Sequence, residues 1–178
     1  MLSEFDPISA AARQAFGAVG AALPADADTL ALLMIHEFQH VKLGAILDLF
    51  DLCDHSDGRL FYAPWRRDPR PLEALLQGTY AHIAVTDFWR TRRHYRSGPQ
   101  AEAAATRFAV WRLHTAEAIE TLAVSGSLTP LGLRFVDGMR ATVTPWLEED
   151  IPAGADRMAR QRAEEHRAWR DRVSRDLD

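Results

Sequence analysis

The sequence contains few of the residues that build disulfide frameworks or cysteine-rich metal sites. Cys53 is the only cysteine among 178 residues, which excludes an intramolecular disulfide and a zinc site with several cysteine ligands. A single thiol is also compatible with a reducing compartment. Because the first residues, MLSEFDPIS, lack the basic and apolar regions of a secretion signal, we expect a cytoplasmic protein.

An excess of charge of one sign is also missing, as are long apolar runs. The 21 Lys and Arg residues against 25 Asp and Glu residues leave a net charge of -4, so no overall positive field attracts nucleic acid. No uncharged apolar run reaches about 18 residues, the length that a membrane-spanning helix requires. We therefore expect neither a nucleic-acid partner nor a membrane association.

The composition and pattern of the sequence favour one compact, mainly α domain that covers residues 1–178. Apolar residues make up 47% of the chain, enough for a single core at this length. Asp26 and Asp28 supply N-cap chemistry for a long central helix that ends near the turn-like DHSDG, residues 54–58. A second helix is expected from about Pro71 to the basic residues 90–96.

Further helices are predicted in the second half of the chain. SGPQ, residues 97–100, predicts an interruption of helical structure before a third helix over residues 101–124. A fourth helix is predicted over roughly residues 133–144. The charged residues 150–178 predict a solvated C-terminal helix with Met158 and Trp169 as its anchors. Residues 16–23 (FGAVGAAL) fit either a frayed helix or a short N-terminal strand, because periodicity cannot separate the two.

The most specific sequence motif lies within the long predicted helix that begins near Asp26. Residues 36–40 read HEFQH, an H-E-x-x-H pattern. Residues four apart lie about 40° apart around a helix, so both His36 and His40 can face one metal ion with Glu37 at its edge. The alternative is a pair of helix-face histidines hydrogen-bonded in the core, beside an ordinary glutamate.

A metal site needs at least one further ligand. His82 lies in the apolar stretch YAHIAV, and Gly78 one turn earlier would let another helix approach closely, so His82 is favoured. His114 is an alternative, either as a ligand or as support for one. A carboxylate, Glu117 or Glu73, is the other alternative. Three remaining histidines fall in turn-like or charged segments and are expected at the surface: His55, His94 and His166.

The motif by itself suggests a zinc peptidase, with Glu37 as the general base. An extended metzincin pattern would require glycine at position 43 and histidine at 46, where this chain has Leu43 and Ile46. A downstream glutamate ligand of the gluzincin type could be Glu73. Zinc peptidase therefore remains an alternative, as does a non-catalytic helical module that binds a peptide or a partner enzyme.

Three longer stretches resemble a known family. They are IHEFQHVKLGAILDLFDL, FYAPWRRDPRPLEALLQGTYAHIAVTDFWR and SGSLTPLGLRFVDGM. They resemble the H-E-x-x-H domain of bacterial peptide-modifying proteins, which is often fused to, or encoded beside, radical-SAM enzymes of ribosomal peptide natural-product pathways. The domain is similar to 2-oxoglutarate-dependent peptide β-hydroxylases. The resemblance covers about residues 16–139, and its most specific parts are HEFQHVKL, APWRRDPRPL and GTYAH.

The resemblance implies an Fe(II)/2-oxoglutarate-dependent oxygenase that hydroxylates Cβ of a residue in a precursor peptide. It implies Fe(II) on His36 and His40, and it favours His82 of GTYAH as the third ligand. The substrate would be a ribosomally synthesised peptide, and the fusion pattern allows a radical-SAM maturase as a partner. In such a site Glu37 would support the ligands by a hydrogen bond rather than act as a base.

The distal carboxylate of bound 2-oxoglutarate calls for a planar, bidentate cation such as arginine. Arg66 and Arg70 are the candidates, since prolines hold their loop and the helix from Pro71 leads to His82. The chain has 20 arginines and one lysine, so arginine is also simply its usual cation. Tyr80 or Tyr62 could donate a hydrogen bond, although aromatic residues at helical spacing are commonly core residues.

Overall fold

Helices dominate the part of the chain that the structure describes. This computed structural model describes residues 9–11, 19–21, 24 and 26–175. The mainly α fold predicted from the sequence is confirmed. The five helices in the described residues are α1 (Ala27–Leu47), α2 (Leu72–Arg92), α3 (Gly98–Ala123), α4 (Pro130–Leu147) and α5 (Ala153–Arg175).

Two short antiparallel strand pairs accompany the helices. Strand β1 (Ser9–Ala11) pairs with β2 (Val19–Ala21), and both contact α1. Strand β2 falls within residues 16–23, so the strand interpretation of that stretch is confirmed for residues 19–21, and its other residues lie outside the described ones. Strand β3 (Leu60–Phe61) pairs with β4 (Arg70–Pro71) and closes the proline-rich loop into a hairpin.

Helix α3 is the centre of the bundle, because α2, α4 and α5 all pack against it. Phe108, Ile119 and Leu122 of α3 are fully or almost fully buried, as an apolar face repeated every three to four residues predicts. Helix α1 packs along α2. The motif helix places Leu32 and Leu43 in the same core.

Several predicted helix boundaries are wrong. Helix α1 ends at Leu47 rather than near residue 54, because the chain turns inward to bury Leu52 and Cys53. There the carbonyl of Leu52 accepts a hydrogen bond from Thr129 N–H at 3.0 Å. The SGPQ segment was predicted to lie before α3, but it forms the beginning of that helix. Ser97 is at the N-cap, and a proline lies in the first turn.

The anchors of α5 also differ from the prediction. Met158 is 45% exposed, whereas Ala155, Ala159 and Ala163 are buried. Small residues permit α5 to approach α3 closely, which a methionine in that position would not. Trp169 does contact the body of the protein, with its ring 5.6 Å from that of Tyr62.

Helix α1 is, within the described residues, the one helix long and apolar enough to cross a membrane by length and composition. Its most apolar window has a mean hydropathy of 1.3. The core helix of a soluble protein meets the same two criteria. Here it packs along α2 and contains the H-E-x-x-H motif, so its composition alone is weak support for a membrane span.

Candidate metal site

The two motif histidines meet on one side of α1. Asp26 caps this helix, since its carboxylate accepts the backbone N–H of Thr29 at 2.9 Å. One helical turn separates His36 from His40, and their Nε2 atoms lie 3.0 Å apart. A separation of this size fits either a hydrogen bond between two imidazoles or two nitrogens that share one ion.

His82 of α2 lies beside this pair. The centroid of its ring is 5.0 Å from that of His36, and the two rings are nearly perpendicular. Its Nδ1 lies 2.7 Å from the carbonyl oxygen of Gly78, which can only accept, so Nδ1 carries the proton. The lone pair is therefore on Nε2, as in metal-binding histidines whose other nitrogen is held by a backbone carbonyl.

Two indole rings stack on His82. Trp65 stacks on one face with ring centroids 4.3 Å apart, and Trp111 stacks with centroids 4.5 Å apart. Trp65 comes from the loop between β3 and β4, and a Cβ at Gly78 would lie 3.2 Å from its ring. The glycine thus permits the close approach of the indole, and the stacked rings leave His82 only 7% exposed.

Burial keeps all three imidazoles neutral. It lowers the pKa of His36 to about 4, an effect strengthened by His40 and opposed by Glu37. The pKa of His40 is lowered by burial, while Glu37 and a hydrogen bond with Gln77 oppose that change. For His82, burial first and then the nearby His36 hold the pKa well below 6.5. Neutral imidazole is the form that binds metal.

Glu37 and Gln77 interact with the histidine pair. Glu37 is only 5% exposed, and its negative charge acts on both His36 and His40. Gln77 donates to Glu73 at 3.2 Å, and Glu73 also lies 3.6 Å from Nδ1 of His55. Glu73 therefore faces Gln77 and His55 rather than joining the histidine pair.

The other alternative ligands lie further along α3. Glu117 forms ion pairs with Arg167 and Arg170 of α5. His114 lies one turn from Trp111 with its ring centroid 5.7 Å from that of the indole, and both of its ring nitrogens are buried without a hydrogen-bond partner. Neither side chain is brought to the pair formed by His36 and His40.

The predicted co-substrate residues form contacts with other side chains. Arg66 and Arg70 both pair with Asp68, and their side chains are 42% and 47% exposed. Tyr80 lies about 200° around α2 from His82, with its ring 5.5 Å from that of Phe135. Tyr62 packs against Trp169 of α5.

Sequence reasoning missed several residues that contact the three histidines. Trp65, Trp111 and Gln77 come from two other segments and from the preceding turn of α2. The only local signal was Gly78, whose missing side chain indicated a close approach. The partner in that approach is an indole from a loop rather than a helix, which spacing along α2 could not show.

Across residues 26–175 and the two N-terminal strands, no three His, Cys, Asp or Glu side chains converge on one point closely enough to hold a metal ion as they stand. His36 and His40 are at the right separation, and His82 lies beside them without completing the set. No model of a known protein family matches the chain, and no curated protein matches it. The family resemblance of HEFQHVKL, APWRRDPRPL and GTYAH therefore stays a prediction.

Proposed function

We propose that His36, His40 and His82 hold one divalent metal ion, and that the protein uses Fe(II) and 2-oxoglutarate to hydroxylate Cβ of a residue in a precursor peptide. The metal is supported by one observation: Nε2 of His36 and Nε2 of His40 lie 3.0 Å apart, with the ring of His82 beside them. The co-substrate, the peptide and a radical-SAM partner rest on the sequence resemblance alone.

The histidines fit an ion of this kind. Two nitrogens bound at about 2.1 Å and at a right angle to each other are about 3.0 Å apart. His82 supplies a third nitrogen with a lone pair, since its Nδ1 is used by the carbonyl of Gly78. The proposal requires one of the rings to turn when the ion binds, so that all three nitrogens meet it.

When bound, Fe(II) would supply the redox chemistry between O₂ and 2-oxoglutarate that hydroxylates a C–H bond. The residues of the chain hold and shield it. Burial keeps the three imidazoles neutral, and the indoles of Trp65 and Trp111 exclude water from the faces of His82. The nearby carboxylate of Glu37 offsets part of the positive charge of the ion.

Zinc-dependent peptide hydrolysis is the second candidate, and the burial of Glu37 beside the histidine pair favours it. A carboxylate in that position could accept a proton from the attacking water. The two functions differ in their metal and in their dependence on Glu37. The hydrolase needs this residue as a base, whereas the oxygenase needs it only to support the ligands.

Succinate release separates these functions without knowledge of the peptide. The full chain with Fe(II), 2-oxoglutarate and O₂ should release succinate slowly even without substrate. Because residues behind metal ligands already contribute 10- to 100-fold, we expect His36→Ala and His82→Ala to reduce the rate by at least about 100-fold. His94→Ala alters an exposed histidine of similar chemistry and should leave the rate unchanged.

Three other outcomes would contradict the oxygenase. Succinate release that is equal in the wild type and His36→Ala would show that the histidines do not hold the active metal. Zinc-dependent cleavage of casein that Glu37→Gln abolishes would establish the hydrolase instead. Peptide binding that persists in His36→Ala and His40→Ala, with no turnover under any metal, would identify a binding module.

A further inference from the structure

Two consecutive residues of α2 contact two different histidines of the candidate metal site. The carbonyl oxygen of Gly78 accepts the Nδ1–H of His82 and so fixes its tautomer. The side chain of Gln77 forms a hydrogen bond with His40 of α1. Because an amide can either donate or accept, the effect of this second contact depends on the orientation of the amide.

Glu73 fixes the orientation of the Gln77 amide. The Nε2 atom of Gln77 donates to Oε1 of Glu73 at 3.2 Å, one turn earlier on α2. A carboxylate can only accept, so the amide nitrogen faces Glu73, and the amide oxygen is the group left for His40. The second carboxylate oxygen lies 3.6 Å from Nδ1 of His55. Each oxygen of Glu73 therefore faces a nitrogen of another side chain.

The pKa of His40 agrees with this orientation. Burial lowers that pKa, and the hydrogen bond with Gln77 opposes the change. An acceptor oxygen has this effect because it stabilises the protonated imidazole, whereas a donor N–H would lower the pKa further. Gln77 therefore accepts a hydrogen bond from a ring nitrogen of His40.

The ring of His40 has a second neighbour at Nε2, which lies 3.0 Å from Nε2 of His36. Only one nitrogen of a neutral imidazole carries a proton. With that proton on Nδ1 and directed at Gln77, Nε2 of His40 keeps its lone pair and accepts a hydrogen bond from Nε2 of His36. The opposite tautomer would direct an N–H of His40 at the place that a shared ion would occupy.

We propose that Gln77 is a positioning residue for His40: its amide oxygen accepts the Nδ1–H, which leaves the lone pair of Nε2 for a metal ion, and Glu73 holds the amide in this orientation. The segment 73–78 of α2 thus sets the tautomers of ligands on both helices. The tautomer of His40 is a property of the metal-free chain, whereas its use in metal binding rests on the proposed function.

Nitrogen NMR on the full, metal-free chain at about pH 8, where histidine is neutral, measures the tautomer directly. Long-range correlations between ring protons and ring nitrogens distinguish Nδ1–H from Nε2–H, and the signals lost in His40→Asn identify the ring. We expect Nδ1–H for His40 in the wild type. Gln77→Leu removes the acceptor, so we expect the Nε2–H form to appear.

Three further variants separate orientation from packing. Glu73→Gln keeps the shape of the side chain but permits both orientations of the Gln77 amide, so we expect both tautomers of His40. This variant also decides the question if Gln77→Leu does not fold. The exchanged pair, Glu73→Gln with Gln77→Glu, again contains one donor and one acceptor and should restore Nδ1–H. Gln161→Leu is the matched control, because Gln161 donates to Glu165 at 2.9 Å in a similar pair on α5.

Metal affinity is the second readout, measured by titration with Co(II) and its visible absorption. Residues behind metal ligands contribute about 10- to 100-fold to affinity, and we expect a loss of that size in Gln77→Leu. The exchanged pair should bind Co(II) within about threefold of the wild type, because its acceptor is restored. Gln161→Leu should bind Co(II) as the wild type does.

Nε2–H in the wild type, or Nδ1–H that persists in both Gln77→Leu and Glu73→Gln, overturns the inference. Co(II) binding that is equal in the wild type and Gln77→Leu but lost in His36→Ala also overturns it, and leaves the metal site in place. The expected tautomers in a wild type that binds no Co(II) support the role of Gln77 in orienting His40 and contradict the proposed metal site.

Discussion

Among single residues, His114 is the most unusual. Both of its ring nitrogens are buried without a hydrogen-bond partner, although a neutral imidazole has one donor and one acceptor to satisfy. Burial, together with the nearby His166 and Arg162, lowers its pKa to about 4. An unsatisfied buried polar group destabilises a fold by about 1 to 3 kcal/mol, so this residue weakens the interior beside Trp111.

Replacing His114 by leucine should therefore increase the free energy of unfolding by about 1 kcal/mol, because an apolar side chain of similar size needs no partner. Urea denaturation at pH 7 measures this. His94→Leu, at an exposed position, is the control and should change stability by less than about 0.5 kcal/mol. A clear loss of stability in His114→Leu would show that the imidazole has a favourable partner.

The pH dependence of stability follows from the direction of the same pKa shift. The pKa of His114 is about 4 in the folded chain and about 6.5 in the unfolded chain. Between these values the unfolded chain binds more protons, so stability is complete above about pH 6.5 and is lost as the pH falls toward 4. His114→Leu should make this decline shallower by up to one proton, measured as the slope of unfolding free energy against pH in metal-free protein. An unchanged slope would contradict the buried neutral state of His114.

At the scale of elements, the beginning of α4 depends on a close contact with the segment that follows α1. A Cβ on Gly132 would lie 1.9 Å from the carbonyl oxygen of Leu52. The same carbonyl accepts a hydrogen bond from Thr129, so neither backbone can move away without breaking it. The missing side chain of Gly132 thus permits the first turn of α4 to pack against the segment that follows α1.

Gly132→Ala should lower the free energy of unfolding by about 1 to 3 kcal/mol, the usual range for forced overpacking. Gly138→Ala is the matched control on the same helix, because a Cβ there meets nothing within 4 Å. This control should stabilise the chain by about 0.5 to 1 kcal/mol through helix propensity. Thermal unfolding of both variants checks the contrast, and equal effects at the two positions would contradict the packing described.

The two ends of α1 show which features of the fold can be predicted from the sequence. The beginning of α1 was predicted correctly because its signal is local: the carboxylate of Asp26 caps a turn three residues away. The end of α1 was predicted wrongly because it depends on Leu52 and Thr129, which are distant along the chain. Likewise, the spacing of His36 and His40 is a local property of a helix, whereas the indoles around His82 come from a hairpin loop and from α3.

At the scale of the whole molecule, the chain places an apolar motif helix on one side and a highly charged helix on the other. Arginines of α5 pair with Glu117 of α3, and His166 of α5 lies 3.3 Å from the carbonyl oxygen of Arg66. The C-terminal helix thus contacts both α3 and the loop that holds Trp65. The two helices on which the histidine site depends, α1 and α2, are held in place by this bundle.

The proposed function depends on one metal ion bound by three imidazoles from α1 and α2. Metal analysis after equilibration with Fe(II) or Co(II), combined with X-ray absorption of the bound ion, measures whether this ion binds. We expect one ion for each chain, three imidazole ligands near 2.1 Å, and loss of the ion in His36→Ala and in His82→Ala. A chain that binds no ion, or one whose ion has the same ligands in both variants, would contradict the metal site.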